Sequence, residues 1–114
     1  MSRLVNLTPH AIRLLDADGG TVALLPASGM VARVPTRAQA ASPIAGWPTV
    51  TLAADPVEGL PSPTPGVWYV VSGLVADRVW RPDVLYPGAL VRDDAGQVVG
   101  CRNLVRPPVR ALIT

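Results

Sequence analysis

Thirteen prolines and ten glycines in 114 residues limit what this chain can fold into. Proline lacks the N–H that a helix interior needs, so helices must be short and prolines in sheets must sit at edges, ends or bulges. The apolar residues, 49% of the chain, are mostly Val, Leu and Ala, and Val suits the pleated, half-buried surface of a sheet. The pattern predicts an α+β, β-rich fold: a small antiparallel or mixed, barrel-like sheet with one short helix. The length fits a single domain, 1–114, with a modest core.

Turn residues divide the chain into short strands. Leu4–Leu7 reads as a first strand. Apolar alternation on both sides of Asp18-Gly19-Gly20 reads as a hairpin, because the glycines supply positive φ. Met30–Val34 and Thr49–Ala54 read as strands, and the Ala-rich piece between Pro35 and Pro48 as a mobile loop or short helical turn. Val67–Val71 has the five consecutive strand formers of a central strand. Ser72 then caps a short helix whose apolar face is Leu74, Val75 and Val79, and which must stop before Pro82. After Pro87-Gly88 a strand over Ala89–Arg92 turns at Asp94-Ala95-Gly96 and returns as Gln97–Leu104. From about residue 106 the chain reads as a flexible tail.

Charge narrows the partners. All ten basic residues are Arg, whose rigid fork pairs with carboxylate or phosphate. A formal net charge of +2 is too small for the dense basic face of a nucleic-acid binder. Cys101 is the only cysteine, which excludes an intramolecular disulfide and the familiar zinc spacings, and no metal or cofactor is expected. The N-terminus is too short and polar for a signal peptide, and no apolar run approaches the ~20 residues of a membrane span, so a cytoplasmic location is expected. Short strands with edges to cover, a small core and little repulsive charge favour a homo-oligomer.

The stretches "VNLTPHAI", "LPASGMVARV", "EGLP", "WYVVSGLVADRV", "RPDVLYPGALVRDDAG" and "VVGCRNL" together resemble a group of small proteins common in actinobacterial phages and genomes. The resemblance covers nearly the whole chain except Pro35–Ala54. It implies a phage or mobile-element origin and carries no mechanism with it.

The candidate site starts from "NLTPHAI", which gathers Asn6, Thr8 and the only histidine, His10, around Pro9. A plain turn explains this, with Asn and Thr bonding local backbone. A structural salt bridge or an Asp-initiated turn likewise explains Arg81 and Asp83, which flank Pro82, whereas a site reading turns Thr8 and His10 toward a pocket shared with them. Arg33, Ser72 and Arg92 complete the candidate ligand-binding set for a small anionic molecule. On that reading Arg81→Ala lowers binding and leaves stability nearly unchanged. Cys101 lies in an apolar strand, no nucleophile elbow is present, and no catalytic residue is assigned. The favoured function is non-enzymatic binding or sequestration of a nucleotide-derived anion. By analogy of size and origin, this would be phage counter-defence against host nucleotide signalling. The alternatives are a metal-independent hydrolase or phosphodiesterase using His10 and Asp83, and a phage structural or host-interaction module.

Overall fold

The computed structural model describes residues 2–107. Eight strands and one helix follow in the order β1 (Arg3–Asn6), β2 (Ile12–Leu15), β3 (Thr21–Leu25), β4 (Thr36–Ile44), β5 (Trp47–Ala54), β6 (Val67–Val70), α1 (Gly73–Val79), β7 (Val84–Arg92) and β8 (Val98–Val105). Six strands form one mixed sheet in the order β1-β6-β7-β8-β2-β3, and β4 and β5 form a separate two-stranded sheet. The fold is therefore β-rich α+β with one short helix, as the proline and valine content predicts.

Within the large sheet, β1, β6 and β7 run parallel, whereas β7–β8 and β2–β3 are antiparallel. A single parallel pairing of Leu14 with Cys101 joins the two halves. The edge strands meet at one end, where the Asn6 side chain donates to the Leu25 carbonyl and the Asn6 carbonyl accepts from the Ser28 N–H at 3.0 Å. The sheet thus bends round toward closure.

The main core cluster lies on one side of β1-β6-β7, and Val70 and Leu85 are buried on the opposite face. Val75 and Ala76 of α1 pack with Tyr69, Val71 and Val84, and Leu7 and Ala32 close the cluster. Ser72 caps the helix, its Oγ accepting from the Val75 N–H at 3.4 Å, and Trp80 ends it in the left-handed region at φ 51°. Leu74 does not join the buried face: it is 67% exposed, because the stripe runs through Val75 and Val79 and is completed by Ala76.

Three further segments differ from the sequence reading. Residues 30–34 form no ladder strand. The Ala32 N–H bonds the Leu7 carbonyl, and Arg33 makes an isolated bridge to Glu58. Residues 36–44 form β4, the longer partner of β5, where a mobile loop was expected. Strand β7 continues through Pro87-Gly88, with Ala89 in the left-handed region at φ 44°. Pro87 pairs with Leu104 of β8, and the pairing with β6 has already ended at Leu85, so no ladder needs the missing N–H. The tail beyond Pro107 lies outside the described residues.

The β4–β5 hairpin projects as an arm. Nine residues at 3.3–3.4 Å each give it a length of about 30 Å. The radius of gyration is 17.3 Å, against about 13 Å for a compact chain of this length. Its base is held by the two Arg33–Glu58 backbone bonds, both 2.9 Å, and by an Arg37–Asp55 ion pair at 3.0 Å. Gly59 allows that base to close: its φ is +77°, and a Cβ there would strike the Val31 carbonyl oxygen.

Candidate functional site

The "NLTPH" stretch folds into a closed turn. Asn6 is 1% exposed, and its amide makes four contacts. Its Nδ2 donates to the carbonyls of His10 (2.8 Å) and Leu25 (3.2 Å). Its Oδ1 accepts from the Thr8 N–H (2.9 Å) and the Thr8 hydroxyl (2.6 Å), and that hydroxyl also lies 2.9 Å from the His10 carbonyl. An Asn amide offers two donors and an acceptor oxygen with two lone pairs, so nothing on Asn6 remains for a ligand. The local rule is the Asx turn, with Pro9 fixing the corner.

Arg81 and Asp83 satisfy each other. Nε and Nη2 of Arg81 donate to the two carboxylate oxygens of Asp83 at 2.9 and 2.6 Å, and Nη1 donates to the Pro61 carbonyl at 2.9 Å. The guanidinium also lies 5.9 Å from the centre of the Tyr69 ring. Hydrogen bonding to Asp83, opposed by burial and aided by the charges of Asp83 and Tyr69, holds the Arg81 guanidinium above its ordinary pKa. The fork ties the proline-braced segment at Pro61 to the start of β7.

The remaining candidates divide in the same way. Ser72 caps α1, and Arg92 Nη1 donates to the Gly96 carbonyl at 2.8 Å, closing the β7–β8 turn. Arg33 is exposed, and its backbone exchanges two hydrogen bonds with Glu58. His10 is exposed and contributes its carbonyl to the turn.

The structure does not bring His10 to Arg81 and Asp83. Val70 pairs with Asn6 on one side and Leu85 on the other. Asp83 precedes Leu85 by two residues and His10 follows Asn6 by four, so in this parallel half they leave the sheet at opposite ends. His10 instead borders a cavity of about 240 Å³ with Arg13, Pro87, Leu90, Val99 and Cys101. Arg13 Nη1 reaches the Thr21 hydroxyl at 3.3 Å. Cys101 is 2% exposed, and burial raises its thiol pKa above the ordinary value despite a backbone hydrogen bond at Asn103 that lowers it. The arrangement offers one guanidinium, that of Arg13, beside the His10 imidazole at the rim of an apolar cavity, with no acid–base pair around His10. Among the described residues, no three His, Cys, Asp or Glu side chains gather as metal ligands, and no helix is long and apolar enough to cross a membrane.

The feature that the sequence reading missed is the arm. Its register pairs Ala38 with Leu52 and Ala40 with Val50, which puts these four on one face, while Arg37, Gln39, Thr49 and Thr51 occupy the other. At the tip, Ala45 (φ 50°) and Gly46 (φ 81°) make a two-residue turn that presents Ile44 and Trp47. Trp47 is 76% exposed, Leu52 67% and Val50 58%. The available signal was "IAGW" followed by the alternation of Thr49, Val50, Thr51 and Leu52.

Comparison with protein-family models, with curated proteins and with solved structures finds no match to this chain.

Proposed function

We propose that the protein acts by binding, without chemistry of its own, and that its working form is a homo-oligomer assembled through the β4–β5 arm. Exposed surface carries this reading. The chain exposes 8091 Å², whereas a compact monomer of 11.9 kDa exposes about 6,000 Å². If the eight residues outside 2–107 contributed a fully extended chain's area, about 1,300 Å², the other 106 residues, whose compact value is about 5,600 Å², would still exceed it by about 1,200 Å². A stable interface covers about 800 Å² on each partner. This reading makes the protein a structural or host-interaction module, a role compatible with the phage origin its sequence resemblance implies. Native mass spectrometry tests it. Masses at multiples of 11.9 kDa at micromolar concentration support it, and a monomer throughout rejects it.

A second reading, sequestration of a small nucleotide-derived anion, rests on the His10–Arg13 cavity. Its volume, about 240 Å³, lies below the usual range for a drug-sized ligand, so one phosphate-bearing group is the most it holds. A thermal-shift screen with nucleotides and cyclic dinucleotides tests it, with His10→Ala and Arg13→Ala abolishing any shift.

A further inference from the structure

Building on the assembly reading, we infer that each arm seats its apolar tip in a groove at the open edge of the large sheet of a second copy, and that the exchange is reciprocal. The groove, about 280 Å³, lies between β1 and the β2–β3 hairpin, with Leu4, Ile12, Leu14, Leu24, Leu25 and Leu104 on its walls. Those walls carry no charge, and Leu4, on the β1 wall, is 40% exposed although it borders a concavity that apolar groups should fill.

The arm carries the matching surface. From Thr36 to Ala54 its only charged residue is Arg37, at the base and paired with Asp55, so nothing charged enters the groove. Ile44 and Trp47 lead at the tip; along β5, Trp47 projects on the Thr49–Thr51 face and Val50 and Leu52 on the opposite one, so the tip itself is what enters the groove. The arm cannot serve its own groove, because its base is fixed by the Arg33–Glu58 bridge and its side chains take no part in the core.

A second copy is the occupant that these surfaces select. Both halves of the contact are on one chain, so a two-fold axis satisfies both at once and closes the assembly. The area requirement is met as well: the excess of about 1,200 Å² per chain is more than the roughly 800 Å² that a stable interface covers on each partner.

Two substitutions at exposed positions separate the halves: Trp47→Arg disables the arm and Leu4→Arg the groove. Circular dichroism confirms that each variant is folded, and light scattering after size exclusion reads the mass. Each variant alone should dimerise at least tenfold more weakly than wild type, and an equimolar mixture should recover a heterodimer, since one intact arm then meets one intact groove. A Leu4→Arg protein that dimerises like wild type while Trp47→Arg is monomeric overturns the groove and leaves assembly through the arm standing. Wild-type dimerisation by Trp47→Arg overturns the arm as occupant. A monomeric wild type removes the assembly reading itself.

Discussion

The Oδ1 atom of Asn6 accepts both the N–H and the hydroxyl of Thr8, at 2.9 and 2.6 Å, and this one relationship explains why Asn, Thr and His stand around Pro9. It closes the turn after β1 and turns Nδ2 toward the end of β3, so a buried polar side chain holds together the two edges of the sheet. Asn6→Ala should cost about 3 kcal/mol, because removing a partner from buried polar groups costs about 1–3 kcal/mol each. Asn6→Asp should be no better, since a carboxylate cannot donate to the His10 and Leu25 carbonyls. His10→Ala should change stability by less than about 0.5 kcal/mol, because only its backbone oxygen serves the turn. Urea unfolding of the three variants checks the contrast.

Arg81 and Asp83 are held by structure, so substitution should lower stability. Their side chains are 22% and 16% exposed. Arg81→Ala should cost about 2 kcal/mol, within the range for hydrogen bonds to charged groups, and Arg81→Lys should not restore it, because an ammonium cannot reach both carboxylate oxygens and the Pro61 carbonyl together. Thermal unfolding of the two variants reads both outcomes. This replaces the sequence-based expectation of a surface pair with little effect on stability.

The Cys101 thiol titrates above its ordinary value because burial disfavours the thiolate. At neutral pH it should alkylate far more slowly in the folded protein than in the unfolded one. The sign for stability follows: above the unfolded thiol's pKa the unfolded chain releases its proton first, so this contribution is complete at neutral pH and declines as pH rises toward and past that value. Cys101→Ala should abolish that part of the alkaline decline, as read by unfolding between pH 7 and 10.

Replacing residues 38–52 by a short Gly-containing turn should leave the large sheet folded. No arm residue belongs to the core, and the Arg33–Glu58 bridge closes the base without it. At concentrations where wild type is monomeric, the unfolding free energy should change by less than about 1 kcal/mol, the range of surface changes. Circular dichroism and chemical unfolding check it.

Much of this fold was legible because local chemistry decided it. The Asp18-Gly19-Gly20 turn fixes β2 and β3, the Val67 run fixes β6, and Ser72 with Pro82 bounds α1. What was not legible depends on partners distant in sequence. Ala38 and Ala40 have weak strand preference by themselves, and β4 exists because β5 pairs with it. Pro87 reads as a turn until the end of the β6 pairing removes the need for its N–H. Of the candidate site residues, Asn6 and Thr8 belong to a turn, Ser72 to a helix cap and Arg81 and Asp83 to an ion pair, while His10, Arg33 and Arg92 are exposed. The sequence could not show that Asn6, Arg81 and Asp83 satisfy their hydrogen bonds within the chain, nor that His10 and Asp83 leave opposite ends of the parallel strands.

The central claim is that the exposed arm is an assembly element. Sedimentation velocity of wild type beside Trp47→Arg/Leu52→Arg, across concentrations from one to a hundred micromolar, tests it most directly. Both positions are exposed, so the double variant should keep the wild-type fold. The account predicts a concentration-dependent dimer or larger species for wild type and a single species of 11.9 kDa for the variant. Identical sedimentation of the two proteins, at any mass, would contradict it.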